Sequence, residues 1–268
     1  MRKISAFAFA AMLTLGGLSA CGDGQTEIGL TASGATTLQP LFAEAGEAWR
    51  QLRPEIYVES HGGGSSQGVL DVAGGRSDIA GVARELTASE LAKVKAIPLA
   101  LDGLAIVVSR DLAVQAVASD QLRRLYGGDV VPEGLPAQLT RVTKADGHGT
   151  LQAFLAGLQL QRSELRAEVT AGSNSEVLQV VAASDNAIGY VSNVDAQAAL
   201  AAGQAIRIVP LDGILPSSDT VADGSYGLTR RLFVVTNFEP TEQAAAFLDF
   251  LQSEPGRQLI EQSGFLPL

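Results

Sequence analysis

Four short stretches carry residue types that can hold an oxyanion: Ser33 to Thr37, Gly64 to Gly68, Gly147 to Thr150, and Gly172 to Ser175. Each mixes glycine with hydroxyl residues and runs into a helical pattern of apolar residues. The first turn of a helix has N–H groups without intrahelical partners and lies at the positive end of the helix dipole, so it attracts an anion without a full positive charge. Glycine lets the backbone come close, and hydroxyls add donors of adjustable direction. Taken singly, each stretch also reads as an ordinary helix cap. Two in the N-terminal part and two in the middle of the chain suit a cleft in which one ligand is met from both sides.

Other chemistries find less support. No Lys followed by Ser or Thr closes a glycine run, which disfavours a nucleotide-phosphate loop. A hydrolase acting on phosphoesters or acyl groups could take Ser65 as nucleophile, His148 as base and Asp146 as orienting acid. Asp146 and His148 are only two residues apart, however, and no Gly-x-Ser-x-Gly elbow is present. His61 and His148 are the only histidines, and with Asp78 or Asp146 they lack metal-ligand spacing. Neither a metal nor another cofactor is expected.

The elements that must position these loops alternate. A strand from Ile28 leads to a helix over Leu38–Leu52, and a strand over Ile56–Glu59 leads through the second loop to a helix over Val69–Ala73. Asp78–Val82 reads as a strand, Thr87–Val94 as a capped helix and Gly103–Ser109 as a β-branched strand. Ser119 and Asp120 are candidate caps for a helix over Gln121–Tyr126. Strands at Arg141–Thr143 and Val169 precede helices over Leu151–Leu158 and Glu176–Ala183. Further strands are predicted at Ala187–Val191, Ile206–Leu211 and Leu232–Thr236, with closing helices over Thr241–Gln252 and Gly256–Ser263. Such alternation indicates an α/β architecture with mainly parallel sheets, and the number of units favours two lobes.

The 268 residues are 46% hydrophobic and 18% charged with a net charge of −10, which describes a folded acidic protein and not a disordered one. That balance speaks against nucleic acid and anionic membrane surfaces as partners. The lone cysteine, Cys21, rules out an intramolecular disulfide. It follows Arg2, Lys3 and an apolar run over Ile4–Gly17, and Leu18-Ser19-Ala20-Cys21 resembles a bacterial lipobox. Residues 1–20 are therefore expected to be a lipoprotein signal peptide and residues 21–27 a tether lipidated at Cys21, anchoring a soluble body to a membrane in the periplasm or at the cell surface.

In order and spacing these stretches resemble the phosphate-binding proteins of bacterial phosphate ABC transporters over almost the whole chain beyond the leader. Ser33-Gly34-Ala35-Thr36-Thr37 and Gly62-Gly63-Gly64-Ser65-Ser66-Gln67-Gly68 are similar to their first two phosphate loops, and Asp78 to Leu86 to the strand and turn that follow. Gln121 to Gly128, Gly172 to Glu176, Ala187 to Ser192 and the ending Phe247 to Leu268 extend the match. The resemblance implies a two-lobed type II periplasmic-binding-protein fold, with a ligand cleft between lobes joined by two crossing segments near Gly103–Ser109 and Tyr226–Thr236. It divides the chain into lobe I (28–105 and 230–268) and lobe II (106–229).

By the same resemblance, the protein is a monomeric, non-enzymatic lipoprotein that hands inorganic phosphate, or a related tetrahedral oxyanion, to ABC transporter permease subunits. The implied ligand contacts are Ala35, Thr36, Thr37, Ser65, Ser66, Arg84, Lys144, His148, Gly149 and Thr150. Arg84 also reads as an ion-pair partner of Glu85 or Glu90, and Thr229 and Arg230 as structural. Three positions depart from the family: its third-loop arginine is Lys144, its serine is His148 and its second arginine is Leu151. Its phosphate-proton acceptor, an aspartate, is replaced by Ala83. Neutral His148 could accept that proton. The departures leave selectivity against sulfate open, and with it the alternative of an oxyanion-sensing or scaffold lipoprotein with a degenerate site.

Overall fold

The computed structural model describes residues 28–128 and 131–268; the leader, Cys21 and the tether lie outside the described residues. Chain order is β1 (Ile28–Gly34), α1 (Gln39–Arg50), β2 (Ile56–Gly63), α2 (Ser65–Ala73), β3 (Ile79–Val82), α3 (Ala88–Leu91) and β4 (Lys95–Ser109). Then come α4 (Ser119–Gly127), β5 (Thr140–Lys144), α5 (Gly149–Gly157), β6 (Val169–Ala171), α6 (Asn174–Ala182) and β7 (Ala187–Ser192). The chain ends with α7 (Asn193–Ala201), β8 (Ile206–Val209), α8 (Ser218–Ala222), β9 (Thr229–Thr236), α9 (Glu242–Gln252), α10 (Glu254–Gln262) and β10 (Leu266–Pro267).

The strands follow the order β2-β1-β3-β9-β4-β7-β5-β6. Strand β4 belongs to both halves of this path. Lys95 to Gly103 pair with β9, whereas Leu104 to Ser109 pair with β7 and β8. The chain thus crosses from one lobe to the other at Gly103–Leu104. It returns beside the same point, where Leu104 N donates to Leu228 O at 2.8 Å. Each lobe buries its own core. Leu30, Leu41, Phe42, Trp49 and Phe247 pack in one; Ile106, Tyr126, Phe154, Tyr190 and Tyr226 pack in the other. The sparse aromatics concentrate there, with Phe154 and Tyr190 stacked at 3.6 Å and Trp49 5.1 Å from Phe247 between ring centroids.

The sheet is mixed, which corrects the expectation of mainly parallel pairing. The βα units pair in parallel (β1 with β2 and β3, β5 with β6 and β7), but β4 and β9 meet their neighbours antiparallel because they carry the chain back and forth between lobes. The strand expected to end at Glu59 runs on through Gly63, and Ser65 to Gly68 form the first turn of α2 and not a loop. The β4 half from Lys95 to Asp102, interrupted by Pro98, and the short elements α7, α8 and β10 were not expected. Ser119 does not cap α4: its hydroxyl donates to Asp212, and the Gln121 side chain accepts from Ala118 N.

Candidate functional site

The helices fall into two groups by how they begin. Side-chain oxygens of Thr87, Ser173, Ser217, Thr241 and Ser253 cap α3, α6, α8, α9 and α10. Helices α1, α2 and α5, which follow the first three candidate loops, begin without any side-chain cap, as do α4, where Gln121 accepts from Ala118 N, and α7, where the Ser192 hydroxyl donates to Asp102. The N–H groups of Thr36, Thr37, Ser65, Gly149 and Thr150 have no backbone or side-chain acceptor among the described residues. Capping therefore explains the fourth loop, where Glu176 N donates to Ser173 Oγ and Gly172 N to Glu176 Oε2, and does not explain the other three.

These open helix ends converge. Gly64 N donates to Gly34 O at 2.9 Å, joining the first loop to the second. Ser66 N donates to Gly147 O at 3.1 Å, joining the second to the third across the lobes. Gly64 holds φ +92°, a left-handed conformation that glycine adopts without strain, and this turns the end of β2 toward the third loop. At Gly149 a methyl group would collide with Ser65 Oγ and lie 2.9 Å from Ala83 O, so glycine permits the close approach.

The hydroxyls of this cluster are forced to act as donors. Arg230 lies on β9, buried, with its Nε and one terminal nitrogen on Asp102 Oδ2 at 2.9 and 2.6 Å. Its remaining N–H groups donate to Thr150 Oγ1 at 3.0 Å, Thr37 Oγ1 at 3.3 Å and Ala83 O at 3.3 Å. Thr37 Oγ1 also accepts from Asn174 Nδ2 at 3.2 Å, and Ser65 Oγ accepts from Ala83 N at 3.0 Å. A hydroxyl whose oxygen is held this way must direct its single proton elsewhere. Thr37, Ser65 and Thr150, all buried, thus add three O–H donors to the open amides.

Lys144 ends β5 inside the same cluster. It is fully buried, and its ammonium has no hydrogen-bond partner among the described residues. Burial lowers its pKa to about 8, against the pull of Asp195. A buried ammonium without a partner is costly unless an anion meets it. His148 stands half-buried at the start of α5; burial, and then the charge of Lys144, hold its pKa below the ordinary value, so it is neutral at pH 7. Burial pushes Asp195 up to about 6, although Asn174 Nδ2 donates to its Oδ2 at 2.7 Å.

Most of the residues expected from sequence come together here: Ala35, Thr36, Thr37, Ser65, Lys144, His148, Gly149 and Thr150 line the converging loops. Arg84 does not join them. Its guanidinium is committed to Glu90 at 2.7 and 2.8 Å and to Ser66 Oγ at 3.1 Å. With Ser66 it lines a recess of about 710 Å³ that has Leu101, Leu104 and Leu228 among its walls. His61 is exposed, 3.8 Å from Glu59. Asp146 turns outward to Arg162 at 2.6 Å, so the constellation Ser65, His148 and Asp146 does not form.

Sequence reasoning missed Asp102, Asn174 and Asp195. Asp102 had a signal, a lone acid within the apolar run Leu99 to Ser109. Asn174 was inside the fourth loop but was read for its backbone and not for its side chain. Asp195 sits in α7, which was not anticipated.

A family model described as the PBP superfamily domain matches residues 19–255. The phosphate-binding protein PstS of Bacillus subtilis is 26% identical over 258 residues, covering 93% of this chain and 84% of the relative. PstS of Borreliella burgdorferi is 22% identical, covering 99% of each chain. Among solved structures, a Clostridium perfringens protein described as a phosphate ABC transporter substrate-binding protein, with bound phosphate, superposes with a TM-score of 0.82 at 25% identity, covering 90% of this chain and all of that one. An ABC-type phosphate transport receptor from Vibrio cholerae gives 0.71 at 29% identity, covering 88% of this chain and 99% of that one.

Proposed function

The chain belongs to the PBP superfamily, and on that premise we propose that it captures inorganic phosphate outside the cytoplasmic membrane and delivers it to the permease of an ABC transporter. The observation that carries this reading is the meeting of three uncapped helix starts from both lobes around a buried, unpartnered ammonium. An array of N–H and O–H donors with one cation suits a dehydrated oxyanion. The relatives named above, described as phosphate-binding and phosphate-transport proteins, support the same ligand.

In this reading phosphate enters between lobe I and lobe II, taken to divide on β4 at Gly103–Leu104, where that strand changes partners. Thr36, Thr37 and Ser65 take its oxygens on one side. Lys144, Gly149 and Thr150 take them on the other, with His148 at the edge. Closure brings Gly147 onto Ser66, and opening releases the anion to the permease. Cys21 carries a lipid that holds the monomeric body at the membrane. No helix among the described residues is long and apolar enough to cross a membrane.

Titration calorimetry of the purified chain with phosphate, sulfate and molybdate tests the proposal. Phosphate binding at micromolar concentration or tighter supports it; no heat with any of the three at pH 6 or pH 8 overturns it. Mass spectrometry of the membrane fraction tests the anchor, since a Cys21→Ala variant must lose the lipid mass.

A further inference from the structure

The converging loops offer an oxyanion donors almost exclusively. Thr37 Oγ1 accepts two N–H groups and has only its proton to give, Ser65 and Thr150 each accept one and direct their protons elsewhere, the open amides are donors, and Lys144 is a cation. Such a set does not by itself prefer phosphate. Hydrogen phosphate carries a proton that needs an acceptor in the closed, water-free site, whereas sulfate carries none, and a polar hydrogen left unmatched there weakens binding.

Several of the acceptors nearby are engaged. Asp102 Oδ2 takes two N–H groups of Arg230, and Oδ1 takes the Ser192 hydroxyl at 3.0 Å. Ala83 O takes Arg230, and the Ala83 side chain is a methyl group. Glu176 Oε2 takes Gly172 N. Ser33 Oγ, in the first loop, is also buried without a partner, but a hydroxyl brings a proton of its own; the acceptor that brings neither proton nor charge is the amide oxygen of Asn174 at the start of α6. The residue is only 4% exposed, and its Oδ1 is buried without a partner among the described residues. Its Nδ2 spends both protons, one on Asp195 Oδ2 at 2.7 Å and one on Thr37 Oγ1 at 3.2 Å. Turning the amide over would set Oδ1 against the Asp195 carboxylate, so the pairing fixes which atom stays free. That atom is one hydrogen bond removed from Thr37, whose own proton goes to the anion.

Building on the phosphate reading, we propose that Asn174 Oδ1 accepts the proton of bound hydrogen phosphate, and that Asp195 is the positioning residue that keeps this oxygen free. The pair supplies from lobe II the acceptor that position 83 lacks in lobe I. Selectivity then follows protonation and not size. Phosphate and arsenate, which carry a proton at pH 8, bind at least ~100-fold more tightly than sulfate and selenate, which do not.

The test is calorimetry of the purified chain with these four anions at pH 8, repeated on Asn174→Leu and Asp195→Asn. The expected result is that Asn174→Leu loses at least tenfold toward phosphate and arsenate while sulfate and selenate are unchanged or improved. Asp195→Asn should give a smaller loss of the same kind, because its amide can pair with Asn174 in either orientation. Equal losses toward all four anions in Asn174→Leu, or unchanged selectivity in both variants, overturn the proposal while leaving phosphate capture standing. Absence of phosphate binding in the unmodified chain removes both. If Asn174→Leu does not fold, Asp195→Asn alone decides: unaltered grouping of the four anions overturns the assignment.

Discussion

Arg230 and Asp102, 128 residues apart, form a buried ion pair at the point where the chain crosses between lobes, with Asp102 Oδ2 accepting two N–H groups of Arg230 at 2.6 and 2.9 Å. Asp102 is in the crossing strand β4 and Arg230 in the returning strand β9, where the two are register partners. The planar guanidinium has donors left over, and these hold Thr37 from lobe I and Thr150 from lobe II. One side chain thus ties the crossing point to both sides of the proposed anion site.

Replacing Arg230 separates those two roles. Arg230→Gln strands the Asp102 carboxylate and should cost about 3 kcal/mol of stability in urea unfolding, as removal of one partner of a buried pair does. Arg230→Lys keeps a charge for Asp102 but cannot span two hydroxyls and a carboxylate. It should recover most of the stability while phosphate binding stays at least ~10-fold weakened, since one or two positioned hydrogen bonds are lost. Binding equal to that of the unmodified protein would show that the hydroxyls do not need Arg230.

Lys144→Met should move stability and binding in opposite directions. Without anion the variant gains stability at pH 7, because a buried, unpartnered charge is gone. Its phosphate affinity falls by roughly 10- to 100-fold, the loss of a charge-assisted hydrogen bond. Thermal unfolding with and without 1 mM phosphate, a concentration of about the order that saturates a micromolar site, reads both effects. A variant less stable without anion and equally stabilised by it would sink the idea.

The pH dependence follows from the same side chain. The Lys144 pKa in the folded protein, about 8, lies below the 10.5 of the free side chain. Between those values the unfolded chain holds the proton more tightly, so this group makes anion-free stability rise with pH. Anion affinity falls over the same range, because binding requires the ammonium that is being lost. Sulfate, whose charge is constant there, provides the clean readout. Lys144→Met should show neither the rise nor the fall.

Gly149→Ala tests closure. The added methyl meets Ser65 Oγ and Ala83 O across the lobes, yet within its own helix alanine is favoured over glycine. Stability without ligand should change by less than about 1 kcal/mol, while phosphate affinity drops at least ~100-fold if the site forms only when the loops meet. Small-angle scattering should no longer report compaction on adding phosphate. Retained compaction and affinity would mean that the lobes do not need this contact.

His148→Ala should weaken phosphate and sulfate alike, by less than about tenfold. The imidazole is half-buried and neutral at pH 7, and one neutral hydrogen bond contributes about 1 kcal/mol. A selective loss of phosphate would move the proton acceptor from Asn174 to His148.

Much of this protein was legible in its sequence because the signals are local. A hydroxyl or glycine beside an apolar helical repeat marks a strand–loop–helix unit within ten or so residues, and Ser33 to Thr37, Ser65, Gly149 and Thr150 all lie at such junctions. What local pattern does not contain is where a donor's partner sits. Ser173 and Thr37 read alike as hydroxyls before a helix, yet Ser173 caps its own helix, whereas the Thr37 oxygen is claimed by Arg230 and Asn174 from 193 and 137 residues away. Arg84 read equally as a site cation and as the ion-pair partner of Glu85 or Glu90, and only the fold chose Glu90; Asn174 read as loop backbone until the fold set its amide between Asp195 and Thr37. The sequence by itself determined the α/β units and the loops able to bind an anion. Tertiary structure decided which of those groups remain free to do so, because a buried polar atom is assigned by the partners that packing brings within 3 Å or so, and those partners are distant in the chain.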